Sequence, residues 1–348
     1  MTAPDLSWIN GAGDTPGTPT RPQAYHAGIS TFMRRPMADL AGLRPGTTAV
    51  FGIPYDYTSG SRPGARWGPR GIRQSSAYFD YFLRSSPDRS YVDLETGREV
   101  RFPDDLSIVD LGDVEIFPTD LGRTSAAIAA FTGAVTASGA FPLILGGDHY
   151  VTFPCVQGFL ASIVDTRPDA RVGYVHLDNH LDMFDANPVW GPVYHGSTVR
   201  RISELPGLDP ANMLLVGQTG LAGRETWDYL RTHGMRLVTL GEVRRRGMTA
   251  ALDAALADLC RHVDLLYVSI DIDVVACAYA PGTGGIVLDG LEARQLFEAV
   301  SVFARHPVAA LDLTEVAPNY DPAETTIRLA AQALFQFLVE RDTAAGTH

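Results

Sequence analysis

Residues 171–182, RVGYVHLDNHLD, carry Asp178, His180 and Asp182 at alternate positions at the end of a mainly apolar run. A run with no polar face must be covered on both sides, which suits a strand inside a parallel sheet better than one at a half-exposed surface. Side chains two apart on a strand project to the same side. The pattern recurs in LLYVSIDID, which closes on Asp271 and Asp273, and in FPLILGGDH, which closes on His149. Brought together, these ends aim four carboxylates and two imidazoles at one place, the ligand set of two divalent cations.

Carboxylates gathered in a semi-buried place repel one another unless cations neutralise them or some take up protons. The competing explanation is that the three ends are unrelated caps and turns. It requires buried charges without partners, which is uncommon. Oxygen and nitrogen ligands without thiolate favour a borderline-hard ion. Manganese comes first, nickel and zinc follow, and all-oxygen magnesium or calcium sites fit less well.

The chain has 348 residues and a formal net charge of −12. It is long enough to bury a substantial core as one large domain. No basic cluster accompanies a nucleic-acid motif. The basic run Arg244, Arg245 and Arg246 reads as a solvated or inter-subunit helix end. Cys155, Cys260 and Cys277 are few, widely spaced and odd in number, which fits a reduced cytoplasmic protein. The first residues lack a secretory pattern, and no stretch reaches the roughly 18 to 20 apolar residues that a bilayer span needs. Neither a nucleic acid nor a membrane is therefore expected as a partner.

Residues 1–30 are rich in Pro, Gly and Thr and read as an N-terminal arm or tail, with Trp8, Tyr25 and Phe32 as candidate anchors. Residues 31–348 read as a single catalytic domain. From Thr47 onward, eight β-branched or apolar runs alternate with amphipathic stretches. This predicts an α/β fold: a three-layer αβα arrangement around a mainly parallel eight-stranded sheet. An eight-stranded barrel has the same strand count, but the spacing is irregular around residues 84–106. In an open sheet of this kind, function gathers beyond the carboxyl ends of the strands, where all these ligand candidates fall.

GGDH (146–149), DNHLD (178–182), SIDID (269–273), APGTG (280–284) and TEVAP (314–318) occur in this order, preceded by SRPGARWGPRGIR (61–73). Together they resemble the ureohydrolase family of arginase, agmatinase and guanidinobutyrase, nearest its agmatinase-like branch, over roughly residues 45–340. The resemblance implies that His149, Asp178, Asp182 and Asp271 hold one metal. It implies that His180, Asp178, Asp271 and Asp273 hold the other, with Asp178 and Asp271 bridging. A water shared by two cations would attack the guanidinium carbon as hydroxide. Glu315 would grip the guanidinium and His195 would carry protons to the leaving amine, so His195, Glu315 and Asp182 count as the catalytic groups. A homo-oligomer, trimeric or hexameric, is also implied.

Three positions depart from the family pattern: Asn179 in place of Ala, Tyr150 in place of Ser, and Ala276–Cys277 in place of an Asp-Pro pair. The loop MFDANPVWGPVY (183–194) is expected to wall the substrate pocket. It carries Phe184, Asp185, Trp190 and Tyr194 but no Lys or Arg, which favours a cationic or apolar tail over a carboxylate. Glu315, Asn187, Trp190 and Tyr194 are the expected substrate contacts. The resulting expectation is a binuclear amidinohydrolase that releases urea and an amine from an agmatine-like guanidine. Free guanidine, or an alkylated guanidine or biguanide, is the alternative substrate. A one-metal deacetylase and a non-catalytic partner subunit of a mixed oligomer are the rivals from other classes.

Overall fold

Each of the eight apolar runs becomes a strand of one sheet in the computed structural model, which describes residues 28–345 except 84–85, 87–89, 93, 95–96, 98 and 102–106. In chain order the strands are β1 (Thr48–Gly52), β2 (Ser90–Val92), β3 (Glu99–Arg101), β4 (Ile108–Asp113), β5 (Phe141–Leu145), β6 (Val172–Leu177), β7 (Leu208–Val216), β8 (Arg236–Val238), β9 (Leu265–Asp271) and β10 (Val308–Thr314). The main sheet has the order β4-β1-β5-β10-β9-β6-β7-β8, and every neighbouring pair runs parallel. Strands β2 and β3 form a separate antiparallel pair in the irregular region, which the sequence reading left unassigned.

Nine helices among the described residues cover the sheet: α1 (Gly68–Leu83), α2 (Leu121–Ala137), α3 (Thr152–Thr166), α4 (Thr198–Ser203), α5 (Arg224–Thr232), α6 (Leu240–Arg246), α7 (Met248–Leu259), α8 (Ala293–Ala304) and α9 (Thr325–Ala345). The sheet divides the interior into two cores, because successive strand residues face opposite ways. Leu143, Val175 and Val268 face α1 and α6 to α9, whereas Ile144, Tyr174 and Tyr267 face α2 to α5. On the second face α2 and α3 approach so closely that a Cβ at Gly158 would stand 2.0 Å from the Ala129 carbonyl oxygen. Only glycine allows that crossing.

The chain leaves β5 and re-enters the sheet at β6, three positions away, because β10 and β9 lie between them. Such a jump in strand order opens a crevice at the carboxyl ends. No helix among the described residues is long and apolar enough to cross a membrane. The N-terminal arm, with Trp8 and Tyr25, lies outside the described residues. Phe32 is fully buried, and its N–H donates to Asp110 Oδ2 at 2.7 Å.

Residues 61–73 serve the scaffold. Arg62 donates to the Thr283 carbonyl at 2.8 Å and so ties down the 280–284 loop, while Arg66 pairs with buried Asp56. Arg73 forks onto Asp110 at 2.8 and 3.0 Å and reaches Asp113 at 2.6 Å, fastening α1 to the edge strand β4. Asp110 is therefore bound to Arg73 and to the Phe32 amide at once. Removing one member of a buried ion pair leaves the other charge uncompensated. Asp110→Ala is expected to lower unfolding free energy by about 3–5 kcal/mol, read by urea denaturation. A loss below about 1 kcal/mol, the scale of an exposed pair, would show that this anchor is dispensable.

Candidate metal centre

Strand register builds the site. Ser269 of β9 is level with Asp312 of β10 and with His176 of β6, and Thr314 is level with Asp271. Two residues beyond this first row, Asp178 and Asp271 therefore stand side by side where the sheet ends. Glu315 follows directly after β10. His149 comes from β5 through a turn whose Gly147 packs against the β1 exit loop, where a Cβ would fall 1.8 Å from the Tyr55 carbonyl oxygen.

His149 Nδ1 faces Asp178 Oδ2 at 3.1 Å, Asp182 Oδ2 at 3.2 Å and Asp271 Oδ2 at 3.0 Å. His180 Nδ1 faces Asp178 Oδ1 at 3.4 Å and Asp273 Oδ1 at 3.3 Å. Asp178 thus offers a different oxygen to each of these two imidazoles. Asp182 and Glu315 adopt φ values of 48° and 60°, a left-handed conformation that costs energy for a side chain with a Cβ. That strain sits in the two residues that turn inward after their strands.

The site is electrostatically unfinished without a cation. Burial and the charge of Asp178 push Asp271 up to about 6, and burial and Asp271 hold Asp273 well above the ordinary carboxylate range. Burial opposes the charge of His149, but Asp178, Asp182 and Asp271 overcome it and hold that imidazole well above its usual value. His149 Nδ1, Asp178 Oδ2 and Asp273 Oδ1 are buried and face groups of opposite charge at 3.0–3.3 Å, yet none of the three makes a hydrogen bond. An unsatisfied buried polar atom costs about 1–3 kcal/mol, and more when charged. Divalent cations would satisfy all three atoms together. The donors converge in two groups that share Asp178: one of His149, His176, Asp178 and Asp182, and one of Asp178, His180 and Asp273.

His176 escaped the sequence reading. The signal was present, since His176, Asp178, His180 and Asp182 continue one alternation, but the first of them lies inside the apolar run. Its ring is fully buried and stacks on His149 with centroids 4.9 Å apart, and Nε2 lies 3.1 Å from Asp178 Oδ2.

Beside the cluster, Glu315 Oε1 accepts from the His149 backbone N–H at 2.9 Å and from His195 Nδ1 at 3.2 Å. His195 Nε2 accepts the Gly60 N–H at 2.8 Å. Burial disfavours a charged His195, yet the Glu315 carboxylate prevails and pushes its pKa up to about 9. Asp148 lies beneath, accepting from Thr58 N–H and Oγ1 at 3.0 and 2.7 Å. Burial and Glu315 push it up to about 8.

A cavity of about 720 Å³ opens over these groups. Met183, Phe184 and Tyr194 of the 183–194 loop line it, but Asn187 and Trp190 do not. Asn187 Oδ1 accepts from the Val189 and Trp190 amides, so its side chain is used to close the loop's own turn. Trp190 stands at the rim beside Gly60. Asp185 points away to Arg201 at 2.7 Å. The facing wall comes from the loop after β7 and from α5, including Gln218, Leu221 and Trp227. Sequence reasoning overlooked that wall, although the loop GQTGLAG (217–223), which directly follows an apolar run and carries Leu221 among glycines, was a signal; Leu221 is fully exposed in the fold.

The three departures have structural roles. Asn179 Nδ2 donates to the Asp289 carbonyl at 3.1 Å, holding the 285–291 segment. That segment pairs with the Ala276–Cys277 turn through Ala276 N–H to Leu291 O and Cys277 N–H to Val287 O, at 2.9 and 2.7 Å. Two of the departures therefore support one another. Tyr150 is buried, with its hydroxyl on Ser125 Oγ and its ring against Tyr55. Arg244 pairs with Asp289 and Arg246 with Glu242, so two members of the basic run are occupied by ion pairs.

A family model described as the Arginase family matches residues 47–339. Guanidinopropionase of Pseudomonas aeruginosa is 33% identical over 316 residues, covering 90% of this chain and 91% of its own. Mitochondrial agmatinase of Gallus gallus is 30% identical and covers 90% and 86%. Among solved structures, proclavaminate amidinohydrolase from Streptomyces clavuligerus superposes with a TM-score of 0.78 at 30% identity, covering 92% of this chain and 100% of that one.

The cluster has a pH signature. Asp271 and Asp148 have folded pKa values raised to about 6 and about 8 from an ordinary 3.8, so the metal-free fold binds protons that the unfolded chain releases. These protons favour folding at low pH, and their contribution is lost as pH rises from about 4 to about 8. Chelator-treated protein is expected to melt at a lower temperature at pH 8 than at pH 5. Added Mn2+ should raise the melting temperature more at pH 8. A Mn2+ effect that is absent at pH 8 would show that the carboxylates are neutralised in some other way.

Proposed function

Because this chain belongs to the arginase family, we propose that it is a metal-dependent amidinohydrolase that splits the guanidine C–N bond of a small guanidino compound into urea and an amine. The supporting observation is the trio of buried atoms His149 Nδ1, Asp178 Oδ2 and Asp273 Oδ1, which make no hydrogen bond and converge beside Glu315. In this reading His149, Asp178, Asp182 and Asp271 hold one divalent cation. His180, Asp178, Asp271 and Asp273 would hold the second, with Asp178 and Asp271 serving both. Manganese is the first ion to reconstitute and nickel the second. When bound, two such cations supply a water acidified toward neutrality as the nucleophile.

The protein's own groups position the substrate and its protons. Glu315 accepts guanidinium N–H groups, and its hydrogen bonds to the His149 amide and His195 fix the carboxylate before substrate arrives. His195 keeps a proton on Nδ1 against Glu315. Its Nε2 accepts the Gly60 N–H and carries no proton in that state, so that contact must open and Nε2 must take up a proton, which the raised pKa favours, before one can pass to the leaving nitrogen. A guanidinium is a planar, resonance-stabilised cation, and a buried carboxylate pays for its desolvation with charge-assisted hydrogen bonds.

Substrate choice follows from the cavity wall. No residue lining it is Lys or Arg, while Phe184, Leu221, Leu230 and Trp227 supply apolar surface. A carboxylate tail would exchange hydration for neutral donors only. An amine, an alkyl group or no tail at all fits better. An agmatine-like compound is the leading substrate, and the Leu221–Trp227 wall favours an alkylated guanidine as the second reading. Residues 31–348 act as one catalytic unit, assembled as a homotrimer or hexamer. The complete ligand set speaks against a non-catalytic subunit.

Urea release measured at one pH and one metal loading tests this reading. Amine-tailed, alkylated and unsubstituted guanidines should outpace arginine and guanidino acids. Glu315→Gln is expected to lower kcat/KM on every substrate by about 100-fold or more, the scale of removing one preorganised electrostatic contact. Trp227→Ala should reorder the substrates with little effect on metal content. A preference for carboxylated guanidines that survives Trp227→Ala would overturn the specificity argument. Absence of urea release from any guanidine by fully metallated protein would overturn the activity.

A further inference from the structure

We propose that Ser269 and Asp312, buried in the row beneath the metal centre, set the proton position on His149 so that its Nδ1 meets the cation as a bare lone pair. The proposal rests on the metal-centre reading above. It concerns two residues to which that reading gives no part.

The pair is built into the sheet. Asp312 and Ser269 are register partners on adjacent strands, and both are fully buried. Ser269 Oγ donates to Asp312 Oδ1 at 2.6 Å, while Tyr267 donates its phenol to Asp312 Oδ2 at 2.7 Å. His149 Nε2 lies 2.9 Å from the same Ser269 Oγ. A hydroxyl has one proton to give. Once that proton goes to the carboxylate, the oxygen can only accept from His149, so the imidazole proton must reside on Nε2.

In the neutral ring that a bound cation requires, Nδ1 is then the nitrogen left as a lone pair, and it is the one surrounded by Asp178, Asp182 and Asp271 oxygens at 3.0–3.2 Å. The reverse arrangement is chemically available. A Ser269 hydroxyl free of Asp312 could donate to Nε2, sending the ring proton to Nδ1, where it would occupy the cation's place. Asp312 prevents this by claiming the serine proton. Ser269 and Asp312 are positioning residues: they act on the ligand and touch neither cation nor substrate. Orientation of a ligating histidine through its second nitrogen is a general means of raising metal affinity.

The test uses full-length protein stripped with chelator and titrated with Mn2+ by calorimetry, with bound metal counted by elemental analysis. Wild type should bind two ions per chain. Ser269→Ala should weaken one of the two by about 10- to 100-fold and leave the other within about twofold. Ser269→Thr, which restores a hydroxyl, should return that ion's Kd to near wild type. Asp312→Asn should produce the same one-sided loss, and if it fails to fold, the Ser269 pair decides alone. Metal-free Ser269→Ala should melt below wild type, because Asp312 Oδ1 loses its donor, so the one-sided loss of metal affinity, which a general loss of stability would not give, is the deciding readout. Unchanged affinities in Ser269→Ala, or equal losses for both ions, would overturn the proposal while the two-metal centre stands. A wild type that binds no Mn2+ would overturn the metal-centre reading and this inference with it.

Discussion

Like-charge repulsion at the end of three aligned strands is the constraint on which the site depends. The register that sets Ser269 level with both His176 and Asp312 also forces Asp178 and Asp271 together where the sheet stops. Nothing in the sheet relieves that conflict. Relief comes from imidazoles inserted between the carboxylates and from whatever cation they attract. The surrounding structure maintains the conflict: Gly147 lets the β5 turn approach the β1 exit loop, and left-handed backbone at Asp182 and Glu315 turns both side chains back toward the centre.

The apolar runs revealed all eight strands of the main sheet because burial on both faces leaves a strand no polar side. The ligand residues were legible for the same reason, since charges that directly follow such runs must lie at strand ends. His176 was not legible, because a lone imidazole inside an apolar run resembles a satisfied core residue until its neighbours across the sheet are known. Ser269 and Asp312 were hidden in the same way. A hydroxyl on one strand and a carboxylate on another acquire meaning only through register, which sequence spacing does not encode.

Loops were the least legible part. The 183–194 segment follows the metal-ligand run and carries aromatic residues, yet it closes on itself through Asn187 and leaves Trp190 at the rim. The facing wall is contributed by a segment about 40 residues later, whose relevance depends on β7 lying beside β6. The departures at Asn179 and Ala276–Cys277 looked independent in sequence. They meet on one segment, where the Asn179 amide and the turn's backbone hold residues 285–291 from two sides.

The contact between the Gly60 amide and His195 Nε2 carries a consequence for how the site could be watched at work. An amide hydrogen committed to an imidazole is shielded from exchange with solvent, and any event that recruits that nitrogen elsewhere must release it. The backbone at Gly60 therefore keeps a record of the state of His195. Its exchange rate in deuterated water reports whether the imidazole is resting or engaged, without a label on the side chain and without turnover.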